Sequence, residues 1–303
     1  AFYACMRIGV VAAEHNPLAP AEEIHQQLDR HRGKVAIVWE KSVDAFIREG
    51  DKSLDTIFTV DISAGMPRSQ RMLLSLPIER ARQTREQMRA ARPKDARSWD
   101  QAVAHARLVH PDTPQATGDD LAVILHTGGT NGVPKSVPLT HRNIGTNVNQ
   151  CRMWVWKLHE GAETFYSLLP SFHAYGLTFF MCAAVHLAAT QLLLPKFDVD
   201  LALEAHKRRP VTFFVGVPPM FERVMTRAAE KNVSLKTIKW SICGAMPLSK
   251  TLAQQWEEAT DGMIIEGYGM SETSPVIAGS PLADNRYHGA LGVVFPSTDV
   301  RLV

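Results

Sequence analysis

Between positions 127 and 135 the chain reads Thr-Gly-Gly-Thr-Asn-Gly-Val-Pro-Lys, which places three glycines, two threonines and a lysine within nine positions. Glycine lets backbone N–H groups turn inward on an anion without a side chain in the way. The hydroxyls and the ammonium add donors that a polyphosphate can use. Thr127, Gly128, Gly129, Thr130, Asn131, Gly132 and Lys135 are therefore candidates for a nucleotide-phosphate cradle. The alternative for the same residues is a solvent-exposed, glycine-rich hairpin. A Walker-type loop is disfavoured, because Pro134 stands where Gly must precede the Lys135-Ser136 pair and Pro138 opposes a helix opening there.

Three further clusters carry groups suited to chemistry. Leu169-Pro170-Ser171-Phe172-His173-Ala174-Tyr175-Gly176 offers an imidazole before an apolar run. Cys243-Gly244-Ala245-Met246 offers small residues that admit a flat ring close to the backbone. Glu266-Gly267-Tyr268-Gly269-Met270-Ser271-Glu272 sets an aromatic between two glycines with a carboxylate four residues on. Each has a plainer reading: His173 as a core histidine, Tyr268 as packing, Glu272 as a surface acid at a helix start.

The elements that must position these groups alternate in type. Apolar runs predict strands over Val35–Trp39, Leu121–Leu125, Phe165–Leu169, Gln191–Leu194, Val211–Val215, Thr237–Cys243 and Met263–Glu266. Amphipathic stretches predict helices from Pro20 to a stop at Gly33, from a Thr140 cap to about Val155, and over Tyr175–Ala188. Further helices follow from an Asp198 cap to about Arg208, over Pro218–Glu230 and over Ser249–Ala259. This pattern is that of an α/β fold with layered, largely parallel β-sheets flanked by helices. In such folds ligands sit at the carboxyl ends of strands, where all four clusters fall.

With 303 residues, a formal net charge of +2 and 45% hydrophobic residues, the chain has material for one large core or two smaller ones. The near-neutral charge argues against a nucleic-acid partner. Cys5, Cys151, Cys182 and Cys243 lie far apart in apolar stretches without metal-ligand spacing, so buried, reduced thiols and a cytoplasmic setting are expected. The segment 65–114 shows no strand pattern and is rich in arginine, with Met72, Leu73, Leu74, Leu76 and Ile78 interleaved. It reads either as a solvated helical linker or as a basic, partly apolar surface over 68–97 that contacts the inner membrane peripherally. Neither chain end carries a starting or stopping signal, so the chain is expected to be part of a larger protein.

Taken together and in order, the four clusters resemble those of the adenylate-forming superfamily, which includes acyl-CoA synthetases, luciferase-type enzymes and the adenylation domains of peptide synthetases. The resemblance extends from Gly9-Val10-Val11 and Asn16-Pro17 to Gly289-Ala290-Leu291-Gly292 and Pro296. It implies a partial large N-terminal adenylating domain over 1–303, with the start of that domain and a C-terminal lid domain outside the chain. It also implies ATP and Mg²⁺ as cofactors and CoA as co-substrate. Thr127 to Lys135 would hold the β- and γ-phosphates. Gly244, Ala245 and Met246 with Gly267, Tyr268, Gly269 and Met270 would form the adenine slot. Ser271 would help to hold phosphate, Glu272 would hold Mg²⁺, and His173 would sit between the acid and the α-phosphate.

Within the superfamily, an Asp after Phe172 would mark an amino-acid substrate, and this chain has His173 instead. The apolar helix behind it and the run Phe213–Met220 suggest a wall for an aliphatic tail, with Phe172, His173, Gly176, Val217 and Pro218 as substrate-binding candidates. The chain is most similar to bacterial long-chain fatty acid–CoA ligases. It departs from the pattern at Asn131 and Ser136, where threonine and glycine are usual. The expectation is that the intact protein activates a long-chain fatty acid to acyl-adenylate and then acyl-CoA, while the isolated chain turns over little. The alternatives are an acyl-AMP ligase that loads a carrier protein, and a non-catalytic nucleotide-binding module.

Overall fold

The structure is a computed structural model that describes residues 1–48, 50, 53–127, 135–194, 196–283 and 289–302. The chain divides into two compact units, Ala1–Ala116 and Thr117–Val303.

The first unit contains α1 (Phe2–Ile8), β1 (Ala12–Ala13), α2 (Ala21–His31), β2 (Val35–Trp39) and β3 (Thr56–Val60). It continues through α3 (Arg68–Leu74), α4 (Glu79–Met88), β4 (Arg97–Ser98) and α5 (Trp99–Ala104). Strands β2, β3 and β4 form a parallel sheet in that order. Ala36 and Val38 of β2 point inward in alternation and meet Ile24 and Leu28 from α2, with Val43 and Phe46 completing the core. Two expectations need correction here. Helix α2 ends at Arg32 in the left-handed conformation (φ 52°) rather than at Gly33, and the Arg32 N–H closes the helix on the Leu28 carbonyl. The 65–114 segment, read as strandless, contributes β4, because β3 offers it a parallel partner edge that local sequence does not reveal.

The second unit opens with β5 (Leu121–Thr127) and β6 (Lys135–Thr140), an antiparallel hairpin in which Thr127 faces Lys135. Its connecting residues, including Gly128, Gly129, Thr130, Asn131 and Gly132 of the expected cradle, lie outside the described residues. Helix α6 (His141–Trp154) follows, capped as expected by Thr140. The Thr140 hydroxyl accepts from the Asn143 N–H at 3.1 Å, and Asn143 Oδ1 accepts from the Thr140 N–H at 2.9 Å.

After β7 (Thr164–Ser167), α7 (Ala174–Gly176) runs through a π-helical stretch, Leu177–Ala183, into α8 (Ala184–His186). The remaining elements are β8 (Thr190–Leu193), α9 (Val199–Arg208), β9 (Phe213–Gly216), α10 (Pro218–Glu230), β10 (Trp240–Gly244), α11 (Lys250–Thr260), β11 (Met263–Gly269), β12 (Val276–Gly279) and β13 (Val293–Val294). The seven strands from β7 to β13 form one sheet in the order β13-β12-β11-β10-β9-β7-β8. The five strands from β11 to β8 are parallel, and β12 and β13 add antiparallel to the edge.

Both faces of this sheet are covered, and strand alternation decides which residue goes to which face. Tyr166, Phe214, Cys243 and Ile264 pack on one side with Phe221, Leu252 and Trp256 from α10 and α11. Their neighbours Phe165, Phe213, Ile242 and Ile265 pack on the other with Cys151 and Val155 near α6 and Phe179 and Phe180 from the π-helical stretch. The thiols are all unpaired. Cys151 and Cys243 are buried as expected, but Cys5 and Cys182 are only half-buried, each lying in a helix that leaves part of its turn open.

Candidate active site at the strand ends

The parallel register aligns the expected motifs. Cys243 pairs with Gly216 on one side and Glu266 on the other, and Gly244 pairs with Gly267. The ends of β9, β10 and β11 therefore form one ledge, because parallel strands bring their carboxyl ends to the same edge. Above that ledge lies a cavity of about 440 Å³. This falls toward the lower end of the 300–1,000 Å³ typical of small-molecule sites.

The cavity wall includes His173, Gly176, Val217, Gly244, Ala245 and the run Gly267 to Ser271. Tyr268 is 41% exposed, so its ring presents a free face. Ala245 has φ 63°, a conformation a bulkier side chain tolerates poorly, and it turns the chain sharply at the end of β10. The buried Glu266 carboxylate accepts from the Leu248 N–H at 3.1 Å and so holds the following loop against the sheet.

Two glycines have packing reasons to be glycine. A Cβ at Gly269 would lie 2.0 Å from the Pro275 carbonyl oxygen, and one at Gly176 would lie 2.2 Å from that of Pro170. The first lets β11 pass close to the Ser271–Thr273 turn and its return. The second seats the start of α7 against the strand-end loop.

His173 stands at the rim, with its ring 4.7 Å from that of Phe172. Loss of water around the imidazole lowers its pKa below the usual value of 6.5, so it is neutral near pH 7. Tyr175 lies behind it, and burial raises its phenol well above the usual range.

Other expected residues stand outside the wall. Met246 is half exposed beyond the ledge, and Pro218 is buried at the start of α10. Glu272 is exposed in the Ser271–Thr273 turn, and its carboxylate is unengaged among the described residues. Strand β6, which begins at Lys135, comes within 8 Å of that turn, Cα to Cα. A free carboxylate beside a serine hydroxyl is a donor set that suits a hard cation such as Mg²⁺.

The expected apolar wall needs correction. Phe213 and Phe214 of the expected run and Phe180 of the helix are packed in the cores on the two faces of the sheet, Leu177 is buried, and Phe179 from the helix and Val217 from the run reach the cavity. The larger apolar part of the wall comes from residues the sequence did not single out. Trp154 from α6 stacks on Phe295 at 4.3 Å between ring centroids, and Ile242, Ile265 and Val276 line the cavity with them. Trp154 Nε1–H donates to the Ser280 carbonyl at 2.9 Å. Asn147, about two turns earlier in α6, exchanges two hydrogen bonds with the Val276 backbone at 2.8 and 3.1 Å. Tyr175 belongs to the strand-end cluster that runs from Leu169 to Gly176, whereas Trp154 and Phe295 carry no local signal.

Comparison with known proteins places this geometry in context. The AMP-binding enzyme family matches residues 1–303. A long-chain-fatty-acid–CoA ligase from Yersinia pestis is 29% identical over 314 residues, covering all of this chain and 54% of that protein. One from Bacillus subtilis is 37% identical over 183 residues, covering 60% of this chain and 33% of that protein. The chain thus spans about half the length of the curated relatives that it matches throughout. Among solved structures, ATP-bound MatB from Rhodopseudomonas palustris aligns with a TM-score of 0.75 at 24% identity, over 97% of this chain and 51% of that one. The anthranilate CoA ligase AuaEII, bound to anthranoyl-AMP, aligns with a TM-score of 0.78 at 19% identity, over 97% and 52%. At these identities the likeness is one of fold.

Proposed function

This chain belongs to the AMP-binding enzyme family, and we propose that a protein of its relatives' length containing it activates a long-chain fatty acid with ATP and passes the acyl group to CoA. The observation that carries the proposal is the single cavity wall shared by His173, the Gly244–Ala245 turn and the Gly267–Ser271 run, together with the apolar residues Trp154, Ile242, Ile265, Val276 and Phe295. The names of the matched ligases support the fatty acid and the CoA thiol as the substrate classes.

In this reading a carboxylate oxygen attacks the α-phosphorus of ATP, and pyrophosphate leaves with the bonding electrons. The CoA thiolate then attacks the acyl carbonyl, and AMP leaves. A carboxylate and a triphosphate repel each other, so the residues must align and neutralise rather than remove a proton. Neutral His173 donates to the carboxylate or the α-phosphate and holds the two together. Tyr268 covers the adenine, and Lys135 with the Thr127 hydroxyl stabilises charge on the departing phosphates. Mg²⁺, held by Glu272 with Ser271 beside it, would neutralise phosphate charge. Alignment of the acid with the α-phosphorus supplies up to roughly 7–11 kcal/mol in favourable cases.

The test is acid-dependent exchange of labelled pyrophosphate into ATP by the full-length protein, followed by mass spectrometry of products from a panel of free acids. Exchange stimulated by long-chain acids, and their CoA thioesters, is expected. No exchange with any fatty, aryl or amino acid would refute adenylation. Exchange without CoA thioester, restored by a carrier-protein thiol, would refute the acceptor alone.

A further inference from the structure

The segment 68–97 holds nine cations against three acids and contributes nothing to the cavity. It is built as a helical hairpin, with α3 and α4 joined by the turn at 75–78. The turn is well tied. The Ser75 N–H donates to the Arg71 carbonyl at 3.2 Å, the Ser75 hydroxyl to that of Met72 at 2.7 Å, and the Arg85 guanidinium to that of Leu74 across the hairpin.

The base is anchored to the rest of the first unit. Trp39 Nε1–H donates to the Met88 carbonyl at 2.7 Å and Lys41 to that of Glu86 at 2.6 Å, while Arg89 pairs with Glu40 and Asp61 at 3.5 and 3.2 Å. The opposite end presents apolar side chains to solvent. Met72 is 69% exposed, Leu73 61%, Leu76 40% and Ile78 53%, and α3 buries none of its residues. Met72 and Leu73 end α3, and the turn that follows stays tied to them, with the Leu76 N–H donating to the Leu73 carbonyl at 3.3 Å.

Charge follows the same division. Arg82 is paired with Glu79 and Glu86. Arg68, Arg71 and Arg80, close to the apolar tip, have no ion pair among the described residues. Exposed apolar groups beside unpaired guanidiniums are matched by one kind of surface, the headgroup layer of an anionic bilayer. There the apolar groups enter the acyl boundary and the guanidiniums fork onto lipid phosphates. No helix among the described residues is long and apolar enough to cross a membrane, so the contact is peripheral.

We propose that the hairpin docks this chain on an anionic lipid bilayer, with Met72, Leu73, Leu76 and Ile78 entering the interface and Arg68, Arg71 and Arg80 on the phosphates. Flotation of the chain with phosphatidylcholine vesicles, with and without phosphatidylglycerol, tests it. Binding to the anionic vesicles that weakens with salt is expected. The Leu73→Asp/Leu76→Asp variant should bind about tenfold more weakly or worse. Each Arg→Gln change at 68, 71 and 80 should cost roughly fivefold. All five residues are exposed, so thermal unfolding should be unaltered. Should the aspartate pair unfold, the arginine series and the salt dependence still decide the matter. Equal binding to neutral and anionic vesicles, or no loss in the variants, overturns the proposal. So does capture of an acidic protein by the hairpin in the absence of any vesicle binding.

Discussion

The Tyr175 hydroxyl lies 3.1 Å from the Ile242 carbonyl oxygen and 3.3 Å from that of Gly216, and its one proton is shared between them. A single phenol thus ties the start of the helix behind His173 to the ends of β9 and β10. Tyr175→Phe keeps the packing and leaves two carbonyls short of a donor. Thermal unfolding should show a loss of about 1–3 kcal/mol. Adenylation should slow as well, because His173 is held by the same helix start. An unchanged melting temperature would mean that the shared bond carries no weight.

Stability of the first unit should fall in acid. His15 Nδ1–H donates to Gln27 Oε1 at 2.6 Å, and its other ring nitrogen meets His31 Nε2 at 3.0 Å. Burial above all lowers the His15 pKa to about 4, with the Gln27 bond opposing the shift and His31 adding to it. Between about pH 6.5 and pH 4 the unfolded chain therefore binds a proton that the folded chain refuses. Stability is intact above that window and declines through it as pH falls, by about 3 kcal/mol in all. Unfolding midpoints measured across the window should flatten in His15→Gln, whatever that variant's stability at neutral pH. A slope equal to the wild type's would remove His15 as the cause.

Glu272→Ala touches an exposed carboxylate with no partner among the described residues. Its folding stability should stay within about 0.5 kcal/mol of wild type. Pyrophosphate exchange by the full-length protein should fall roughly a hundredfold, with more Mg²⁺ needed for half-maximal rate. Chelation of the metal should bring both proteins to the same low rate. Full activity at wild-type Mg²⁺ would release Glu272 from this role.

Trp154 and Phe295 line the cavity as a stacked pair. Trp154→Ala should lengthen the preferred acid, seen as a shift in kcat/KM across a chain-length series, while Trp154→Phe keeps the wild-type order. The half-buried ring limits the stability cost to no more than about 3 kcal/mol. An unchanged order in the alanine variant would move the length limit elsewhere.

Much of the scaffold was legible because its signals are local. Thr140 and Asp198 cap α6 and α9 where their side chains predict, since a cap needs only the N–H two or three residues on, and Ser249, expected as the first residue of its helix, caps α11 in the same way. The strand β11 was underestimated. It runs past Glu266 to Gly269 because β12 supplies an antiparallel partner there, which carries Tyr268 to the end of the sheet. The same dependence on a partner created β4 out of an arginine-rich linker.

That His173, Gly244, Ala245 and the run Gly267 to Ser271 gather at the strand ends was expected from the chain alone, since glycine-rich turns and polar groups that follow strands are recognisable without knowing their neighbours. Which apolar residues face a ligand was decided only in three dimensions. Phe213, Phe214 and Phe180 match any description of a greasy wall, yet strand alternation and helix facing send them into the cores. Trp154 and Phe295, distant in sequence, meet because α6 is hydrogen-bonded across to β12 and the segment beyond it. Hydrophobicity has no direction of its own, so register and packing alone choose between core and cavity.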